Sequence, residues 1–240
     1  MNFNNKNIKS IIGAGDLHGQ IESLVFKLQE QYKITDSVCF CAGDIGLGFY
    51  KENYYLNLFK QLNNKLSKKN NTLLLIRGNH DDPGYWTTEK FNTSNILLIP
   101  DYTIVTVNDK KVLCVGGAIS IDRTLRKDGI DYWKNENFTF KEDKLNQVTA
   151  DIVITHSAPT FCFPNSKSEI KYWLEKDHNL EKDIDQERDF HNNLYYKLIL
   201  NGHHPTKWIY GHFHNSCNHR INETDFILLN ELELAELVRF

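Results

Sequence analysis

The feature that most constrains the fold is a repeated pattern of short apolar runs, each followed by glycine and a polar, chemically active residue. The first three runs are residues 11–15, 37–42 and 72–76. Between them, apolar residues recur at the three- and four-residue spacing of one helix face, in the sets Ile21, Leu24, Val25, Leu28 and Tyr55, Leu58, Phe59, Leu62, Leu66. Strands that alternate with amphipathic helices predict βαβαβ connections and a largely parallel sheet.

Further apolar runs predict a second sheet. They cover residues 96–99, 103–107, 111–115, 151–155, 207–210, 226–229 and 232–238. Residues 161–200 are polar and aromatic, with a helix indicated near Leu194 and Leu198. This segment is interpreted either as a cap insertion over a site or as plain helical packing. No linker rich in Pro, Gly or Ser divides the 240 residues, so we predict one α/β domain over 1–240.

Composition restricts the partners and the compartment. Lys plus Arg number 28 and Asp plus Glu number 31, a net charge of −3 that provides no basic track for long nucleic acid. No apolar run approaches the roughly 18 residues of a membrane span, and the first residues lack a signal-peptide core. The five cysteines are irregularly spaced and partly within apolar runs, which favours reduced, buried thiols and a cytoplasmic location.

Metal-capable side chains recur just after the ends of the predicted strands: Asp16, His18, Asp44, Asn79, His80, His156, His212 and His214. Ligand sites in open α/β sheets lie at the carboxyl ends of strands. Oxygen and imidazole donors without thiolate suit Mn²⁺, Fe or Zn²⁺. A carboxylate such as Asp44 can bridge two ions about 3.5–4 Å apart. For the remaining histidines we predict surface positions at His178, His191 and His219, and a structural loop at His203 and His204.

Five short motifs occur in the order typical of one enzyme superfamily. They are Gly15-Asp16-Leu17-His18-Gly19, Gly43-Asp44, Gly78-Asn79-His80-Asp81, His156-Ser157-Ala158-Pro159 and Gly211-His212-Phe213-His214. The chain thereby resembles the calcineurin-like metallophosphoesterases over residues 15–214. The resemblance implies a four-layer α/β/β/α sandwich, which agrees with the prediction of two sheets.

The resemblance also implies a role for each motif residue. One metal ion would be bound by Asp16, His18 and His214, a second by Asn79, His156 and His212, and both by Asp44. His80 would protonate the leaving-group oxygen, and Asp81 would orient His80. A hydroxide that bridges two divalent ions, with Mn favoured over Fe or Zn, would be the nucleophile.

Two departures bear on the substrate. The arginine that follows the second motif in protein Ser/Thr phosphatases of this superfamily is absent from residues 43–48. Arg77 matches an arginine in their third motif and is interpreted as a phosphate contact or a structural salt bridge. Residues 116–123 resemble a Gly-Gly-Ala-x-Ser-x-Asp segment of a bacterial and phage branch. Asp122 and Arg126 there are substrate-pocket candidates, with an internal Asp–Arg pair as the alternative.

The sequence therefore predicts a dimetal phosphomonoesterase that acts on a small phosphorylated substrate or a phosphoprotein, with no membrane partner. The first alternative is a phosphodiesterase acting on cyclic nucleotides or nucleic acid. The second is a non-catalytic scaffold with the same fold.

Overall fold

A computed structural model describes residues 1–3 and 7–240. The first sheet has the order β11-β1-β2-β3-β4 and consists of β1 (Ser10–Ala14), β2 (Ser37–Cys41), β3 (Thr72–Leu75), β4 (Ile96–Leu98) and β11 (Leu234–Arg239). Its strands β1 to β4 are parallel, and β11 pairs antiparallel with β1 at the edge. The predicted parallel core of the first half of the chain is therefore confirmed.

The second sheet has the order β5-β6-β7-β8-β10-β9. It consists of β5 (Thr103–Val107), β6 (Lys110–Val115), β7 (Ile152–Thr155), β8 (Lys207–Tyr210), β9 (Cys217–Ile221) and β10 (Thr224–Leu228). Strands β6, β7, β8 and β10 run parallel, while β5 and β9 are antiparallel to their neighbours at the two edges. Both sheets thus direct several carboxyl strand ends toward loops that can share one site.

In the described part of the chain, four α-helices accompany the sheets: α1 (Ile21–Phe26, continued by a π-helical turn over Lys27–Gln31), α2 (Glu52–Lys68), α3 (Lys171–Lys176) and α4 (Leu180–Leu200). The buried face of α2 consists of the five residues predicted from spacing, Tyr55, Leu58, Phe59, Leu62 and Leu66. In α4 the buried apolar residues Leu194, Tyr195 and Leu198 pack on the second sheet. The last part of the 161–200 segment is therefore a packing helix.

Alternation along the strands produces three apolar clusters among the residues that the structure describes. In β2, Cys39 and Cys41 face the cluster that contains α1 and α2, whereas Val38 and Phe40 face a cluster shared with the second sheet. In β6, Cys114 faces that shared cluster, and Leu113 faces a third cluster that contains α4. Clusters on both sides of two sheets are those that an α/β/β/α sandwich requires. The α/β fold is as predicted.

Four local results bear on the predictions made from the sequence. Strand β9 was not predicted, because only Cys217 and Ile221 of its five residues are apolar, as suits an edge strand with one exposed face. The predicted surface position of His191 is wrong: it lies fully buried on the inner face of α4. All five cysteines are free thiols, and four of them are buried, as predicted. Within residues 1–3 and 7–240, no helix has the length and apolar character needed to cross a bilayer.

Candidate metal centre

The seven predicted metal ligands converge at the carboxyl ends of five strands. Asp16 and His18 follow β1, Asp44 follows β2, and Asn79 follows β3. The second sheet contributes residues that follow β7 and β8, namely His156, His212 and His214. Ligand atoms of Asp16, His18, Asp44 and His214 all lie within 4.8 Å of one another. Residues up to 198 positions apart in the chain (16 to 214) therefore form one cluster.

The first group of donors surrounds one oxygen of Asp44. Asp44 Oδ2 is 3.8 Å from His18 Nε2, which is 3.0 Å from His214 Nε2. His214 Nε2 lies 3.4 Å from Asp16 Oδ2. Although buried, Asp44 Oδ2 accepts no hydrogen bond from the described residues. An uncompensated buried carboxylate oxygen among imidazole nitrogens is what a cation site provides.

The second group surrounds the other oxygen of Asp44. Asp44 Oδ1 is 3.3 Å from His156 Nε2. Asn79 Oδ1 lies 2.9 Å from His156 Nε2 and 2.9 Å from His212 Nδ1. The two carboxylate oxygens of Asp44 therefore face different sets of donors. This division of donors fits two divalent ions that share one carboxylate.

Hydrogen bonds at the far side of two rings orient the histidines. His156 Nδ1 lies 2.6 Å from the carbonyl oxygen of Ala42. Donation to that carbonyl leaves Nε2 directed at the cluster. His214 Nδ1 lies 3.2 Å from Glu231 Oε1, which fixes the ring in the same manner. Such outer contacts set the tautomer of a metal-binding histidine.

Glycines in the motifs let buried carboxylates approach the backbone. A Cβ at Gly78 would lie 2.0 Å from Asp44 Oδ1, and one at Gly211 would lie 2.0 Å from Asp16 Oδ1. Four of the cluster residues have left-handed backbone angles, with φ of 42° at His18, 48° at Asp44, 69° at His212 and 45° at His214. Such angles each cost about 1–3 kcal/mol and concentrate at functional sites.

Several ionisable groups of the cluster have pKa values far from their usual ones. Burial by itself would lower the pKa of His156, but the adjacent carboxylates of Asp44 and Asp16 raise it to about 10. Burial would raise the pKa of Asp44, but His156, His80 and His18 hold it well below its usual range. Burial and the charge on His156 lower the pKa of His212. The ionised form of these buried carboxylates is stabilised by nearby positive charge, which a proton on histidine or a bound cation can supply.

The role assigned to Asp81 needs correction. Its buried carboxylate does not orient the His80 ring; it accepts four backbone N–H bonds, at 2.7–3.0 Å, from Ile45, Gly46, Leu47 and Gly78. Burial raises the pKa of Asp81 to about 6 despite these bonds. Asp81 therefore fixes the loop after Asp44 against the loop after β3, and its effect on His80 is indirect.

His80 lies beside the cluster without belonging to either donor group. Its backbone N–H donates to Asp44 Oδ1 at 2.8 Å, and its half-buried ring lines the adjoining cavity. The His80 and His18 rings are 5.6 Å apart. Burial lowers the pKa of His80 below its usual range, although Asp44 opposes this. The ring is positioned to contact a ligand that reaches the metal-capable residues.

Arg77 is not directed at the cluster, so the phosphate contact suggested for it is corrected to the salt-bridge alternative. Its guanidinium is buried and contacts Asp101 Oδ2 at 2.9 Å and 3.2 Å. It also donates to the carbonyl oxygens of Glu136 and Asn137. Asp101 in turn accepts from the backbone N–H of Gly116. Arg77 therefore connects three loops beneath the site.

Replacing Arg77 should weaken the fold rather than change substrate preference. A hydrogen bond to a charged group contributes about 1.5–3 kcal/mol, and Arg77 makes several. We expect Arg77→Ala to lower the free energy of unfolding in urea by at least about 1.5–3 kcal/mol. The exposed pair of Arg220 with Asp225 offers a matched control: Arg220→Ala should cost less than about 1 kcal/mol. A changed ratio of monoester to diester hydrolysis at full stability would contradict this assignment.

Asp122 and Arg126 do reach the site. They line a cavity of about 630 Å³ together with Asp44, Asn79, His80, His212 and His214. Arg126 Nε donates to Asp122 Oδ1 at 2.6 Å, and its Nη1 donates to the carbonyl oxygen of Asp131 at 3.1 Å. The internal pair and the pocket position are therefore both present. The cavity also contacts the 161–200 segment, which forms one of its walls.

Supporting residues at the site were missed by sequence reasoning. Asn79 Nδ2 donates to Ser120 Oγ at 2.9 Å, and Ser120 Oγ donates to Glu136 Oε2 at 2.6 Å. Glu231 follows β10, whose parallel pairing with β8 brings it to the same edge as His212. Its position after an apolar run was the available signal. Nothing in the local sequence around Glu136 indicates its contact with Ser120.

Comparison with known proteins identifies the family. A family model described as calcineurin-like phosphoesterase matches residues 9–216, and the chain belongs to this family. No curated protein matches the sequence. One solved structure covers 95% of this chain and 95% of its own at 10% identity and a TM-score of 0.57, which supports the fold.

Two structures of named proteins align with lower TM-scores. A phosphopantetheinyl hydrolase from Mycobacterium tuberculosis is 12% identical, with 92% of this chain and 89% of that chain covered and a TM-score of 0.47. A cold-active protein-tyrosine phosphatase from a Shewanella species is 16% identical, with 97% and 76% covered and a TM-score of 0.41.

Proposed function

We propose that this chain is a dimetal phosphomonoesterase, with Mn²⁺ as the favoured ion and Fe or Zn²⁺ as alternatives. The observation that carries the proposal is the division of donors around the two oxygens of Asp44. One ion would be held by Asp16, His18 and His214, the other by Asn79, His156 and His212, and Asp44 would contact both. Bound ions would supply Lewis acidity that activates water and neutralises charge on the phosphate.

The chain's own residues complete the reaction. Water adds to phosphorus, the bond from phosphorus to the ester oxygen breaks, and that oxygen must gain a proton. His80 is suited to supply this proton because its ring lines the cavity beside Asp44 yet belongs to neither donor group. It would donate its proton to the departing oxygen as a general acid. Asn79 is held by the Ser120–Glu136 contacts, and His214 by Glu231, so the ligands are oriented before substrate binds.

The preference for monoesters rests on Arg126. Its guanidinium lines the cavity, with Nε and Nη1 already bonded to Asp122 and Asp131. Within the described residues, Nη2 of Arg126 makes no hydrogen bond. A guanidinium that is hydrogen-bonded on one side and free on the other is suited to bind a dianionic phosphate. Asp122 would orient that fork. A small phosphorylated substrate fits a cavity of about 630 Å³ better than a long nucleic acid does.

Removal of the Arg126 side chain should affect monoesters most. We expect Arg126→Ala to lower kcat/KM for p-nitrophenyl phosphate at least about tenfold, because one charge-assisted bond contributes about 1.5–3 kcal/mol. The bis-ester carries one negative charge fewer and should lose less. Arg239→Ala removes an exposed arginine on β11 and should leave both rates unchanged. Equal losses for the two esters would remove Arg126 as the monoester selector.

A hydrolysis screen tests the class of activity. Purified protein supplied with Mn²⁺ is assayed on p-nitrophenyl phosphate, its bis-ester, cyclic nucleotides and a phosphopeptide. The proposal predicts the highest kcat/KM on a monoester. A higher value on the bis-ester or on cyclic nucleotides would establish the phosphodiesterase alternative. Metal binding without hydrolysis of any ester would favour the non-catalytic scaffold.

The five free thiols support the cytoplasmic location that we predicted.

A further inference from the structure

The cavity beside the metal-capable cluster has two unlike ends. One end consists of Asp44, Asn79, His80, His212 and His214. The rest of the lining includes the apolar side chains of Phe163, Ile170, Trp173 and Ile184, here called the apolar end, together with polar residues of the same segment such as Asn165 and Ser166. A volume of about 630 Å³ lies within the 300–1,000 Å³ typical of sites for organic ligands. A phosphate group alone would leave the apolar end unfilled.

The apolar side chains at this end are incompletely buried. Phe163, Ile170, Trp173 and Ile184 are each only partly buried although all four line the cavity. Trp173 lies on the short helix α3 and Ile184 on the first turns of α4, in the part of 161–200 that does not pack on the second sheet. Apolar surface that remains wet in a concave site is surface that a ligand can cover.

The charged residues around this end are already engaged by protein partners. Lys167 Nζ lies 2.5 Å from Asp185 Oδ1 and 3.5 Å from Glu181 Oε1. Arg188 donates to four backbone carbonyl oxygens, those of Ala158, Pro159, Cys162 and Pro164. Neither cation needs an anionic group of the substrate to satisfy it. Apolar contact is therefore the main interaction left for a substrate here, beside the polar side chains of Asn165, Ser166 and Glu169.

We infer that the substrate's alcohol portion is an apolar group, such as a fused bicyclic aromatic, that contacts Trp173 and Ile184. The inference rests on the proposed phosphomonoesterase function, which places the phosphate at the opposite end of the cavity. It assigns the 161–188 part of the segment a role in selecting the leaving group. Phosphoserine-like and other small polar esters are then poor substrates, because they leave the apolar wall in water.

Two monoesters with leaving groups of nearly equal acidity test this assignment. Phenyl phosphate and 2-naphthyl phosphate differ chiefly by one apolar ring. A single buried methylene alters kcat/KM by about 10- to 200-fold in apolar pockets. We therefore expect 2-naphthyl phosphate to exceed phenyl phosphate at least about tenfold in kcat/KM. Trp173→Ala should reduce that ratio toward one, because the loss of kcat/KM on 2-naphthyl phosphate should exceed the loss on phenyl phosphate.

Controls separate this inference from a general loss of structure. Tyr196→Ala removes an exposed aromatic on α4 that does not line the cavity, and the ratio should be unchanged. Ile184→Ala makes a smaller truncation of the same wall and should lower the ratio in the same direction, which also serves if Trp173→Ala fails to fold. Equal kcat/KM on the two monoesters would overturn the inference and leave the phosphomonoesterase proposal standing. Hydrolysis of the bis-ester with neither monoester cleaved would overturn both.

Discussion

Asp44→Asn is expected to abolish activity almost completely. The substitution preserves size but removes the negative charge between the two donor groups and replaces one acceptor oxygen by an N–H₂ donor. Because metal ions contribute several kcal/mol of charge stabilisation, kcat/KM should fall by at least about 10³-fold. Metal content measured by elemental analysis should fall below the two ions per chain expected for the unmodified protein. The pair of assays reports on metal binding and turnover separately.

A matched substitution distinguishes this effect from a general one. Asp109 is an exposed aspartate in the turn between β5 and β6, and Asp109→Asn should retain full activity and full metal content. Circular dichroism checks that both variants keep the native fold. An Asp44→Asn protein with native fold and at least a tenth of the original kcat/KM would show that Asp44 does not bridge catalytic ions.

His80→Ala is expected to lower kcat without removing metal. His80 lies outside both donor groups, so elemental analysis should still give two ions per chain. A lost general acid costs about 10²–10⁴-fold on an alkyl phosphate, whose leaving oxygen must be protonated. The loss should be much smaller on p-nitrophenyl phosphate, since p-nitrophenolate is a stable leaving group. The dependence of the effect on leaving-group acidity is the diagnostic readout.

His178→Ala provides the control for this experiment. His178 is exposed between α3 and α4, and its removal should change neither rate nor metal content. Equal losses of His80→Ala on the alkyl and p-nitrophenyl esters would contradict a proton transfer by His80. Such a result would assign His80 to substrate binding instead.

The first sheet was predictable because its strands and helices are local and strongly patterned. The buried face of α2 followed from spacing alone, and β2 followed from a run of apolar residues. Strand β9 was not predicted, because an edge strand buries little and only Cys217 and Ile221 in it are apolar, although Cys217, His219 and Ile221 alternate with the exposed Asn218 and Arg220. The buried position of His191 depends on which face of α4 meets the second sheet, which local sequence does not specify.

The metal-capable residues were predictable because each follows a strand at the same edge. The roles of Arg77 and Asp81 were not, since both depend on partners distant in sequence. Asp101, which pairs with Arg77, lies 24 residues away, and Glu136 lies 59 residues away. Asp81 accepts from a loop some 35 residues earlier in the chain. Motif resemblance placed these residues near the site, but only the three-dimensional contacts distinguish a ligand from a residue that supports the loops.

The most direct test of the central claim is a metal titration of the stripped protein. Protein treated with chelator and then freed of it is titrated with Mn²⁺ while hydrolysis of p-nitrophenyl phosphate is recorded. The account predicts no activity without metal and a rise that saturates at about two equivalents per chain. Full activity of the stripped protein in excess chelator would contradict the account. Activity that saturates during the titration while no Mn²⁺ is bound to the protein would also contradict it.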